Sequence, residues 1–186
     1  MNVTVLVAVI AATVTGIGWF VTHVLALRAE TEKQRLASHL SIVETQLAEL
    51  YGPLAFLVLE GKSSLGDLES NLGRRAIFRD DDPWSADELA TWLYWVDNDF
   101  MPRNLKIQTL LSSHTHLIVG ETMPPSYLGF MEHYNSWRTV HQRWKDEGIE
   151  YCWHSRTDWP RDFDKDVADT FDALKKEHSR LVGLTR

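Results

Sequence analysis

VTVLVAVIAATVTGIGWFVTHVLAL, residues 3–27, decides how the rest of the chain is read, because it carries no Lys, Arg, Asp or Glu. At about 1.5 Å per residue a helix of this length extends about 37 Å, enough to cross a bilayer with some tilt. Turned at about 100° per residue, its side chains sort by size. Thr4, Ala8, Ala11, Ala12, Thr15, Gly16, Gly18, Trp19, Thr22 and Ala26 fall on one side, and Leu6, Val7, Ile10, Val14, Ile17, Val21, Val24 and Leu25 on the other. Lipid does not require such sorting, whereas a neighbouring helix does. Small residues let backbones approach, and threonine hydroxyls can bond across the contact. Thr4, Ala8, Ala12, Thr15, Gly16 and Thr22 are therefore the expected association face. The partner is expected to be an integral membrane protein or a second copy of this chain.

A cleaved signal peptide would carry a basic start, a shorter apolar core and a small-residue cleavage site. No basic side chain precedes Val3, and the run is too long, so a retained anchor is expected. Arg28, Lys33 and Arg35 follow the run. By the positive-inside rule they place the C-terminal part in the cytoplasm. The expected topology is single-pass, with Trp19 and His23 near the cytoplasmic interface of the bilayer.

The chain has 186 residues, of which 44% are hydrophobic and eight are Trp, so the part beyond the anchor can build one domain with a real core. Nineteen basic residues stand against 26 acidic ones, a net charge of -7. That balance argues against general nucleic-acid binding, which needs a basic surface to neutralise phosphates. The single cysteine, Cys152, excludes an intrachain disulfide framework.

The expected organisation is all-α: an anchor over 1–27, a long helix over 28–60 leaving the membrane, an irregular connector over 61–84, and the remaining helices of a four- or five-helix soluble bundle over 85–186. In the second segment Leu36, Leu40, Val43, Leu47, Leu50, Leu54 and Leu57 repeat in alternating steps of four and three, a heptad seam. The seam can pair with another copy, but it spans only about three heptads, and flanking charges are sparse. Packing inside its own domain is the favoured reading. Pro53 should kink or end this helix, because its ring meets the carbonyl of Glu49. The connector holds Gly61, Gly66 and Gly73, with Leu65, Leu68 and Leu72 allowing a short helix inside it, and the run Asp80-Asp81-Asp82-Pro83, read as a solvated turn rather than a cation loop.

Ser85-Ala86-Asp87-Glu88 is a capping box that opens a helix, with Leu89, Trp92, Leu93, Val96 and Phe100 on one face until Pro102 breaks or bends it. Leu105, Ile107, Leu110 and Leu111 continue a helical pattern. Pro124-Pro125 begins the next helix, whose stripe is Tyr127, Phe130, Met131, Tyr134, Trp137, His141 and Trp144, with Gly148 as its stop. Pro160 opens the last helix, which buries Phe163, Val167, Phe171, Leu174 and Leu181.

Signals for chemistry are weak. His114 and His116, two apart, point to different faces of a helix, while Cys152 and His154 share a face only in an extended stretch. No zinc, metalloprotease or di-iron spacing surrounds any of them, so they are expected to be structural and no cofactor is expected. No phosphate-binding glycine loop and no nucleophile elbow is present. Trp95 lies off the Leu89–Phe100 stripe and is the ring expected to be exposed, and Met123-Pro124-Pro125-Ser126-Tyr127 is a second contact candidate that also reads as a helix entry.

The expectation is a non-enzymatic accessory or scaffolding subunit of a membrane complex. The alternatives are a self-associating signalling protein or small pore, and a membrane-tethered metal-dependent enzyme.

Overall fold

The computed structural model describes residues 2–73 and 84–184. The fold is all-α, and no strand occurs among the described residues. Helix α1 spans Val3–Thr45, α2 Gly52–Leu72, α3 Ala86–Trp95, α4 Met101–Ser113, α5 Pro125–Glu147 and α6 Phe163–Leu184. Two compact units share these elements. One comprises Met1–Val43 with Glu177–Arg186, the other Glu44–Lys176.

In the first unit α1 is long and apolar enough to cross a membrane. From Thr15 to Leu27 its side chains are exposed, apart from a half-buried Val24. Farther along, Leu36 and Leu40 are half-buried and Val43 is buried. His39 Nε2 stands 3.7 Å from Glu177 Oε1, so the end of α6 lies beside α1 within this unit.

The second unit is a helical bundle around an aromatic core. Two prolines shape it in the same way. A proline inside an α-helix collides with the carbonyl four residues back and offers no N–H. Here a π turn precedes each one, Gln46–Tyr51 before Pro53 and Val96–Phe100 before Pro102. The residue ahead of each proline bonds five residues back, Gly52 N–H to the Leu47 carbonyl and Met101 N–H to the Val96 carbonyl. The wider turn accommodates the ring, and the helix resumes as α2 and α4. Pro53 thus neither ends the helix nor leaves it broken. Gly52 is required at its turn, because a Cβ there would sit 2.6 Å from the Leu47 carbonyl oxygen.

The connector expected over 61–84 is corrected over its first half, since α2 stays helical through Gly61 and Gly66 to Leu72. Helix-breaking by glycine amounts to about 1 kcal/mol per residue. Burial of Leu57, Val58 and Leu68 along the same helix outweighs it. Gly73, at φ 66°, closes α2 in the left-handed conformation. The run Asp80-Asp81-Asp82-Pro83 lies outside the described residues.

Leu50 and Leu54 of the seam are fully buried within this chain, Leu57 is buried and Leu47 half-buried. Ser85 caps α3 with the reciprocal pair of bonds its sequence implies: Glu88 N–H donates to Ser85 Oγ at 3.3 Å and Ser85 N–H to the Glu88 carboxylate at 2.8 Å. Gly148, at φ 69°, ends α5. The last helix begins at Phe163, one turn beyond Pro160.

The core is largely stacked rings. Trp92 packs parallel to Trp137 at 5.9 Å and tilted against Trp84 and Phe100. A second group joins Phe130, Tyr134, Trp159 and Phe163. His133 connects the two groups, edge-on to both Trp137 and Trp159. The segment between α5 and α6 closes over this core. Trp92 Nε1–H donates to the Trp153 carbonyl at 2.8 Å, and Trp153 itself holds φ 65°. Left-handed backbone costs a bulky residue about 1–2 kcal/mol, and here ring contacts with Trp144 and Tyr151 hold it in place.

Candidate functional site

The second unit contains a cavity of about 290 Å³ between α2, α3, α4 and α5. Leu57, Val58, Leu65 and Ile107 supply aliphatic wall, and Trp92, Phe100, Trp137 and Trp159 supply rings. The π turn at Val96–Phe100 and the restart of α4 bring Phe100, Arg103 and Asn104 to its side.

Arg103 is a buried cation, with its side chain only 6% exposed. It donates from Nη2 to Ser64 Oγ at 2.7 Å and to Asp99 Oδ1, and from Nε to Glu60 Oε2 at 3.4 Å. Its guanidinium also rests over the Phe100 ring at 5.9 Å. Burying an unpaired charge is prohibitive, so two carboxylates and a hydroxyl at one guanidinium account for its position. Lys62 is paired likewise, with Nζ 3.1 Å from Asp164 Oδ2, while Trp159 Nε1–H donates to Asp164 Oδ1 at 3.0 Å.

Three polar side chains at the cavity have capacity left, and one of them is the Trp137 indole, whose N–H is buried without a hydrogen-bond partner among the described residues. Asn104 is 6% exposed and makes no side-chain hydrogen bond among the described residues. His133 is 8% exposed. Its Nδ1 sits 2.6 Å from the Thr157 carbonyl, a contact that requires the proton on Nδ1. Burial pushes the His133 pKa down, against the pull of the Thr157 and Asp158 carbonyls, so the ring is neutral and Nε2 carries its lone pair. The lining offers no activated nucleophile, and its cations are paired.

A second polar cluster runs Lys145–Asp97–His141–Tyr151. Asp97 Oδ1 is 2.9 Å from both Lys145 Nζ and His141 Nε2, and His141 Nδ1 is 2.6 Å from the Tyr151 hydroxyl. Burial alone would raise the Asp97 pKa, but the hydrogen bonds and charges of His141 and Lys145 outweigh it and hold the carboxyl below its ordinary value. Burial pushes the Tyr151 phenol up to about 12. A carboxylate–imidazole–hydroxyl chain resembles a general-base relay, yet a phenol this hard to ionise is a poor nucleophile. None of the four lines the cavity. The cluster ties the 149–154 segment to the π turn at Val96–Phe100 and to α5.

The residues singled out in the sequence are dispersed. Thr4, Ala8 and Ala12 fall within α1, and their side chains lie outside the described residues. Thr15, Gly16 and Thr22 are exposed, and the Thr22 hydroxyl donates to its own helix at the Gly18 carbonyl, 2.8 Å away. Trp95 is corrected: it is half-buried, packed against Phe100 at 6.2 Å, and its neighbour Tyr94, 67% exposed, is the outward ring. Residues five apart share a face across a π turn, which a wheel of 3.6 residues per turn does not anticipate. Tyr127 follows its stripe and helix-entry reading and not the contact reading. It is 1% exposed in the α5 stripe, edge-on to Phe163, while Pro124 is half-buried at the helix entry.

The His114 and His116 rings are 6.4 Å apart, and His114 Nε2 is 4.0 Å from Glu49. Cys152 is exposed, its thiol 3.3 Å from the His154 carbonyl. Among the described residues no three His, Cys, Asp or Glu side chains gather as metal ligands. The sequence reading missed Arg103 and Asn104. Their signal was present: a cation and an amide interrupt the apolar stripe Val96, Phe100, Ile107, Leu111 at helical spacing.

No family model, no curated protein and no solved structure matches the chain.

Proposed function

We propose that this chain is a non-enzymatic, single-pass membrane protein that serves as an accessory or scaffolding subunit of a membrane protein complex. Its α1 docks through the face that includes Thr15, Gly16 and Thr22, and its C-terminal helical domain faces the cytoplasm. One observation carries the reading. Between Thr15 and Leu27 the apolar helix is exposed, with only Val24 half-buried among these described residues: Ile17, Trp19 and Phe20 are 60%, 69% and 61% exposed. Monomeric soluble proteins rarely leave a continuous apolar surface of that kind in water. A Cβ built on Gly16 or Gly18 meets nothing within 4 Å, so packing among the described residues does not explain these glycines. Close approach of another helix explains them.

The test is the mass of the complex extracted in mild detergent, with every component identified. Other integral membrane proteins in fixed ratio support the reading. A single chain in several copies replaces it with self-association, and a lone monomer overturns both. Gly16→Leu locates the contact. It should weaken association without disturbing this chain, because the added side chain enters open space here. Val14→Leu, on the opposite face, should leave association unchanged, and equal losses from both would contradict the docking face.

A further inference from the structure

We propose that the cavity between α2, α3, α4 and α5 binds a neutral, ring-shaped apolar molecule bearing a hydroxyl group, of the phenol class and about two fused rings in size. Volume sets the size. A dry apolar cavity of about 150 Å³ holds a benzene ring, and this one is about 290 Å³. The walls favour a flat ring, since Trp92, Trp137 and Trp159 offer faces and edges for stacking.

Charge selects a neutral ligand. Arg103 is already met by Asp99 and Glu60, and Lys62 by Asp164. A ligand carboxylate would have to displace one of these partners and stay buried beside it. A ligand ammonium would find no carboxylate without a cation.

The unspent polar groups select the hydroxyl. Asn104 offers both a donor and an acceptor, the neutral His133 ring offers a lone pair at Nε2, and the Trp137 indole N–H offers a second donor. A hydroxyl donates to either acceptor while accepting from the Asn104 amide. A ketone can only accept and leaves the His133 lone pair without a donor, and a plain hydrocarbon leaves all three residues unanswered.

The experiment uses the full chain in lipid nanodiscs, with the tryptophan indole N–H resonances as the readout and empty nanodiscs as the partition control. The probes are 2-naphthol, naphthalene and 2-naphthoate. The expected result is a saturable shift of the Trp92, Trp137 and Trp159 signals with 2-naphthol. Naphthalene should bind about tenfold more weakly, the worth of one well-made buried hydrogen bond, and 2-naphthoate should give no saturable shift. Leu65→Trp, at a cavity edge that is 41% exposed, should fill the space and abolish binding with the fold intact. Asn104→Leu should bring 2-naphthol down to the affinity of naphthalene. The proposal is overturned if no probe shifts these signals saturably, or if naphthalene or 2-naphthoate binds as tightly as 2-naphthol. Unchanged binding to a folded Leu65→Trp chain overturns it too. Should Asn104→Leu fail to fold, the three probes and Leu65→Trp still decide the matter.

Discussion

Two stretches of this chain draw on the same residue types and treat them oppositely. In α1, Ile17, Trp19 and Phe20 are more than half exposed, whereas in the second unit Leu50, Val96 and Phe130 are fully buried. Both stretches are helical, so secondary structure does not separate them. What separates them is the presence of polar residues between the apolar ones. Around Trp92 and Trp137, acidic and polar positions alternate with the stripe and cover it against water. From residue 3 to residue 27 no charged residue interrupts the run. A helix without a polar face has nothing to present to water, and its stable surroundings are lipid or another apolar helix.

Substitutions sharpen that contrast, each read by unfolding the full chain in denaturant. The largest effect is expected at Trp92, 3% exposed, stacked on Trp137 and hydrogen-bonded to Trp153. Trp92→Ala should cost about 4 kcal/mol of stability through the cavity it opens. Arg103→Met should cost about 3 kcal/mol, because Asp99 is left partly buried without its cation. Arg103→Lys should restore little, as an ammonium cannot serve Ser64, Asp99 and Glu60 from the same geometry. At the first π turn, Gly52→Ala forces a methyl against the Leu47 carbonyl and should cost about 2 kcal/mol. Phe20→Ala, in the exposed stretch of α1, should stay within about 0.5 kcal/mol. A loss at Phe20 as large as that at Trp92 would erase the distinction between the two regions.

Acid probes the core by another route. His133 is held neutral, with its folded pKa below the unfolded value of 6.5. The unfolded chain therefore binds the extra proton first. This group's contribution is complete above about pH 6.5 and is lost as the pH falls from there to the folded value. Asp97 is held below its ordinary 3.8, so its own contribution fades only in more acidic solution. Stability measured from pH 7 down to pH 5 should fall, and His133→Gln should flatten that slope. An unaltered slope in the variant would remove His133 as its source.

Much of the architecture was readable because it is local. The capping box at Ser85 and Glu88, the stop at Gly148 and the α5 stripe each depend on residues within a turn or two of one another. The π turns were not readable. Proline rules state that Pro53 and Pro102 disturb a helix, but whether the helix ends, bends or widens depends on how α2 and α4 pack beyond each proline. That choice also hid the orientation of Trp95. The length of α2 was misjudged for the same reason, since Gly61 and Gly66 weigh against helix locally and Leu68 is buried by distant parts of the chain. The cavity was the least legible feature. Arg103, Asn104 and His133 come from two helices, and only the fold brings them to one space. Their proximity leaves no mark on spacing along the chain.

The central claim is that α1 lies in a bilayer. It is tested most directly by washing membranes that contain the full chain in alkaline carbonate, which strips peripheral proteins and leaves integral ones behind. The account predicts that the chain stays with the membrane pellet, and that placing two charges in the exposed stretch with Ile17→Asp and Val21→Asp releases it. Recovery of the unaltered chain in the wash would contradict the claim, and the exposed face of α1 would then have to be covered by a soluble partner.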